Sequence, residues 1–356
     1  MTLHLPRRSP VPPQACGSDP ELLRRVSRHL SPEQARHVAI LTADGITANS
    51  AALAGALVFH RFHPLTAQAT TGDGGGLGGL ISGVLGGAPA TAQGVQVSCK
   101  DERSGPYRRV FSNPGYAYQS SQVYLPSADA GEVHEAKEAG HGDTAFIYMG
   151  GWGGKGGAVD AGVQHGRYVN GPHDDWAPFF LVQQPSGPSA VTVSDQRQAG
   201  GDPWRLAAGQ NATLTFWVST DADLTLLNLF IRGVTNLDRT ETTLTLSAPV
   251  DSSFGWTPAG SRTGGATILK RMTTIGQTTG HQNLQSGSFL RGVNWRSSDI
   301  GTSEADAQPW KAEQTGGYCS FPAPQSPEGV RGDGLGPKWK IEFRDAGSET
   351  DSVDLV

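Results

Sequence analysis

The side chains best suited to chemistry gather in the middle of the chain. His165, His173, Asp174 and Asp175 lie close together, with Asp160 on the segment leading in. Carboxylates and imidazoles at one end of a sheet could hold Ca²⁺ through oxygen ligands, or serve as an acid and a base. In an enzyme Asp160, His165, Asp174 and Asp175 would carry the proton transfers. In a calcium site Asp174 and Asp175 would be the ligands, and no other cofactor is expected. The same residues also read as a polar turn in which the aspartates cap backbone amides and the histidines are solvated. Neither an EF-hand loop nor a zinc spacing accompanies them. His134-Glu135 falls short of HExxH because Glu138 stands where the second histidine belongs. There is no G-x-S-x-G elbow around a nucleophilic serine.

Aromatic side chains form a second group. Trp152, Trp176, Trp204, Trp256, Trp295, Trp310 and Tyr168 offer planes on which the apolar faces of sugar rings could stack, although most tryptophans of a β-sandwich belong to its core. Trp152 and Trp256, in glycine-rich surroundings, are the two expected to be exposed. The ligand contacts expected are Trp152, Lys155, Tyr168, Trp176 and Trp256.

These groups need strands to hold them. Ala145–Met149 is a short aromatic and β-branched run, and Val159, Ala161 and Val163 alternate with Asp160, Gly162 and Gln164, the period of a half-buried strand. Between them, residues 150–157 read as a flexible hairpin loop carrying Trp152 and Lys155. Gly151, Gly153 and Gly156 match G-x-G-x-x-G, but no helix follows to receive a pyrophosphate. Trp176–Gln183 is a third strand. Ala212–Val218 and Leu224–Ile231 form a clear hairpin around Asp221 and Asp223, and further strands fall at 242–246, 267–275, 289–295 and 339–343. Around ten strands with almost no helix predict a mainly β fold, a two-sheet antiparallel β-sandwich of jelly-roll type.

The remainder of the chain sets boundaries. Residues 1–69 read as a leader with short helices: Asp19-Pro20 opens one, Ser31-Pro32-Glu33-Gln34 a second, and Ala51–Phe59 is either a third or the apolar part of an export signal. Residues 70–94 are a glycine-rich linker, and 95–356 the sandwich domain. The composition, 48 glycines and 23 prolines in 356 residues, fits many short strands joined by turns. A net charge of −5 argues against nucleic acid as a partner, and no segment has the length and apolarity of a membrane span. Of three cysteines, Cys99 and Cys319 bracket the β-rich region and are candidates for a disulfide in an oxidising compartment; three unrelated thiols is the alternative.

The run Gly151-Trp152, Ala158 to His165, Asp175-Trp176, Ile268 to Met272 and Ser288 to Trp295 resembles bacterial extracellular β-sandwich domains related to the concanavalin-like lectins and glucanases. The resemblance implies glycan recognition outside the cell or on its surface. The glucanases' catalytic E-x-D-x-x-E strand is absent, which counts against hydrolysis by that route. The expected function is binding of a carbohydrate or other surface polymer without catalysis. A polysaccharide-degrading enzyme and a self-assembling envelope protein, hence a homo-oligomer, are the alternatives.

Overall fold

The computed structural model describes residues 19–42, 45–62, 90–91, 94–95, 103–138, 141–165, 174–184, 189–194, 202–221, 224–256, 267–278, 280–322 and 337–356. In chain order, the strands of four residues or more are β1 (Val38–Thr42), β2 (Gly45–Ala48), β3 (Leu57–Phe62), β4 (Tyr107–Ser112), β5 (Tyr118–Leu125), β6 (Thr144–Trp152), β7 (Ala158–His165) and β8 (Asp175–Gln183). They continue with β9 (Ser189–Ser194), β10 (Gln210–Asp221), β11 (Leu224–Val234), β12 (Glu241–Val250), β13 (Ile268–Gly276) and β14 (Phe289–Gly301). The last three are β15 (Thr315–Phe321), β16 (Pro337–Asp345) and β17 (Ser348–Leu355). The first sheet has the order β2-β1-β12-β11-β10-β5-β14-β17-β16 and the second β15-β4-β13-β6-β7-β8-β9-β3. The chain crosses repeatedly between them, and the expected mainly β, two-sheet β-sandwich is what forms.

The alternation of side chains explains how the sheets pack. Ala145, Ile147 and Met149 of β6, Val159, Ala161 and Val163 of β7 and Leu269 of β13 face Leu214, Phe216, Leu227, Leu229 and Trp295 of the first sheet in one continuous core. The other face of the second sheet is buried as well. There Phe146 and Tyr148 cluster with Phe179, Leu181, Val191, Val193 and Met272, which is why the central strands read as nearly unbroken apolar runs.

The N-terminal residues correct the expectation of a separate helical leader. α1 (Pro20–Ser27) forms as predicted, capped by the Asp19 carboxylate on the amide of Leu22. The second predicted helix is only a turn. The Ser31–Gln34 capping pair closes it, Gln34 Oε1 accepting from the Ser31 amide and Ser31 Oγ from the Gln34 amide. The β-branched, apolar run that follows is β1, which pairs in parallel with β12, Val38 opposite Thr245. α2 (Ala51–Ala56) is short and leads into β3, which pairs with β9. Leu53, Ala56 and Leu57 lie in the core between the sheets. Residues 19–62 thus complete the edges of both sheets. The glycine-rich segment expected as a linker lies almost wholly outside the described residues.

Candidate functional site

The structure brings His165 and Asp174 together and adds Glu135, which the sequence offered only as part of an incomplete HExxH motif. His165 ends β7, and its Nδ1 lies 3.2 Å from Glu135 Oε2 while its Nε2 lies 3.2 Å from Asp174 Oδ1. Asp174 also accepts from Ser127 Oγ at 2.7 Å and from the amides of Ala128 and Asp129. Glu135 accepts from the Ala145 amide at 2.8 Å. The Trp176 ring stands edge-on to the imidazole at 5.3 Å, its Nε1 donating to Pro126 O. Burial pulls the imidazole pKa down, but the bonds to Asp174 and Glu135 outweigh it and carry it up to about 9. Burial acts against the Asp174 carboxylate too, and is outweighed by His165, the two amides and Ser127, which hold its pKa well below the usual range. At neutral pH this is an imidazolium between two carboxylates. With both ring nitrogens donating, the histidine has no lone pair free to accept a proton. The cluster ties β7 and the start of β8 to the 127–135 segment.

The other acidic candidates stand elsewhere. Asp175 is fully buried and receives Arg205 Nε at 3.0 Å and Nη2 at 2.5 Å. Asp160 is buried against Lys270 in an ion pair, and burial outweighs that pairing to raise its pKa. Asp160 lies opposite Leu181, six residues along β8 from Asp175 and so about 20 Å away. The four candidate acid–base residues therefore do not share one site. Among the described residues no set of three or more His, Cys, Asp or Glu is arranged to hold a metal ion.

The aromatic expectations change more. Trp152, Trp176 and Trp256 are 2 %, 0 % and 6 % exposed. Glycines 150 and 151 belong to β6 rather than to a loop, paired with Asp160 and Val159 on one side and Lys270 and Leu269 on the other. They are needed for close approach: a Cβ on Gly151 would sit 2.0 Å from Ile268 O. Trp152 is thereby packed against Ala158 and Ile268, with Lys270 Nζ 4.3 Å from its ring centroid. Lys155 stays near the surface and donates to Ser252 O. Tyr168, His173 and Cys99 lie outside the described residues. Cys319 is disulfide-bonded, to a partner likewise outside them.

The exposed aromatic rings among the described residues are two that the sequence reading passed over, Tyr318 of β15 and Phe343 of β16, at 56 % and 38 %. Their centroids are 5.1 Å apart with planes inclined by 39°. β15 ends the second sheet and β16 ends the first, so the pair lies at the open side of the sandwich, where Trp339 Nε1 donates to Phe321 O across the gap. Behind the rings lies Arg108 of β4, its Cζ 4.9 Å from the Tyr318 centroid and 5.6 Å from that of Phe343. Its Nε is ion-paired to Glu349. Arg271 reaches the other oxygen of that carboxylate at 2.8 Å. Glu349 and Asp351 share the inward face of β17 by their spacing of two. Asp351 accepts from Thr273 Oγ1, which accepts from Trp295 Nε1. Burial raises the Glu349 pKa but Arg271 and Arg108 outweigh it and keep it low, whereas burial and the neighbouring Glu349 together push Asp351 well above its usual range.

A sequence signal for the platform exists. Trp339, Ile341 and Phe343 share one parity, yet only the first two reach the core, because the strand runs on past it to a register shift after Phe343. No protein-family model matches the sequence, and no curated protein is significantly similar to it.

Proposed function

We propose that the protein is a carbohydrate-binding β-sandwich working outside the cytosol, and that Tyr318 and Phe343 are its contact with the sugar. The observation that carries this reading is the pairing of these two exposed rings on adjoining edge strands, with a buried arginine beneath them. Isolated exposed apolar side chains need no explanation, but a paired, well-supported aromatic surface is suited to stacking the apolar face of a sugar ring. The disulfide at Cys319, on the same strand as Tyr318, favours an oxidising compartment. Binding without turnover is the better reading because Asp160, His165, Asp174 and Asp175 are each engaged by ion pairs, and two of them are buried far apart.

The test is thermal unfolding of the full chain against a panel of oligosaccharides. A ligand that binds only the folded state stabilises it by about 2.7 kcal/mol at a hundred times its Kd. A sugar-specific rise in Tm that disappears in the double variant Tyr318→Ala/Phe343→Ala supports the proposal. No rise with any sugar, or a rise that the double variant keeps, refutes it.

A further inference from the structure

We infer that the sugar taken by the Tyr318–Phe343 platform is acidic, a uronate whose carboxylate is drawn to this edge, and that Arg108 sets the preference. The inference rests on the carbohydrate reading and sharpens it. Its basis is charge placed behind an aromatic surface.

The Arg108 guanidinium lies against the inner side of both rings. A cation on one face of a π system draws its negative potential inward, so the outer faces become less attractive to the weakly positive C–H groups of a neutral sugar and more tolerant of an anion. The cluster behind the platform is also unbalanced. Arg108 and Arg271 share the carboxylate of Glu349, while burial and that carboxylate oppose ionisation of Asp351. Two guanidinium groups with one shared partner thus lie behind the exposed rings, within the reach of screened electrostatics. A guanidinium held by a shared carboxylate cannot turn away from the rings, so the preference is built into the fold.

The test compares two probes that differ only in charge: a hexuronate oligosaccharide, and the same oligosaccharide with its carboxylates reduced to hydroxymethyl groups. Calorimetric titration of the full chain is run with each, at low and high salt. The expected result is that the uronate binds about tenfold more tightly at low salt, and that the difference shrinks in high salt. Arg108→Gln should remove the difference while neutral binding persists. Should that variant fail to fold, the salt dependence of the unaltered chain still decides the matter, and Arg108→Lys, which keeps the charge, is the folded comparison. Equal or stronger binding of the neutral probe overturns the acidic preference and leaves the carbohydrate proposal standing. Binding of neither probe, with no response from any other sugar, overturns both. Uronate binding that survives Tyr318→Ala/Phe343→Ala removes the platform from either role.

Discussion

At the scale of single residues, the structure turns candidate catalysts into measurable electrostatics. The bonds to Asp174 and Glu135 outweigh burial and carry the His165 imidazole from its ordinary 6.5 up to about 9 in the folded state. A raised pKa means that the folded state holds the proton more tightly. Its stabilisation is complete below the unfolded value and is lost as pH rises through about 9. Asp174, whose pKa is depressed, acts oppositely: its contribution is present above the unfolded carboxylate value and is lost as pH falls. Unfolding free energy measured across pH should therefore fall between pH 6.5 and 9. In His165→Gln that fall should be much reduced, with an overall loss on the order of 3 kcal/mol, because two carboxylates are left facing a neutral amide. A pH profile unchanged by the substitution would show that His165 does not titrate as argued. The Glu349–Asp351 pair gives a second contrast. Asp351→Asn replaces an acid whose ionisation is opposed by burial and by Glu349 with an amide of the same shape and should cost about 1 kcal/mol or less, whereas Glu349→Gln strips two buried arginines of their shared partner and should cost on the order of 3–5 kcal/mol. Equal effects in chemical denaturation would contradict the assigned protonation. The sequence placed His165 near Asp174 through chain proximity. It gave no hint that Glu135 meets His165, because that contact is made by a strand end meeting a distant segment.

At the scale of elements, the glycines of the central stretch were the feature most easily misread. A run of glycine suggests freedom, but at Gly150 and Gly151 the missing side chain is what lets β6 lie against β7 and β13, with a Cβ at either position falling about 2 Å from a backbone oxygen. Gly151→Ala should cost at least about 3 kcal/mol. Gly287→Ala, at a positive φ of 83° with nothing within 4 Å of the added carbon, should cost only about 1 kcal/mol. Urea midpoints of the two variants check the contrast, and similar losses would mean that backbone strain rather than close approach governs both. The strand pattern itself was legible: β6, β7, β8, β10 and β11 lie where alternation placed them. What alternation could not show is that both faces of the second sheet are buried. Tryptophans assigned to a rim therefore proved to be packing residues, and the exposed rings turned out to be those on the two edge strands.

At the scale of the whole molecule, the boundary of the fold lies earlier than composition implied. α1 resembles a leader by its caps and basic residues, yet Leu22, Leu23 and Val26 pack with Val38, Ile40 and Leu226. Arg25, Arg28 and His29 all reach Asp221, at the hairpin between β10 and β11. Deleting residues 19–62 removes β1, β2 and β3 and uncovers Leu226, which is packed with Val26, Val38 and Ile40. The truncated chain should lose cooperative unfolding in calorimetry, and a sharp transition near the original Tm would show that these strands are dispensable. The sequence failed here because strand pairing at a distance leaves no local mark: nothing within 38–40 announces that its partner is 245–247.

That pairing also orders events in time. A chain made from its N-terminus presents β1 long before β12 exists, and a parallel partner cannot be reached by a tight turn. Until Thr245 has emerged, Val38, Ala39 and Ile40 belong to a strand paired on one edge only, with β2, and β12, once formed, offers an open edge to any other strand that arrives first. The earliest strand of the sheet is thus among the last to be placed, and assembly of this sandwich is exposed to wrong pairing for as long as that gap in synthesis lasts.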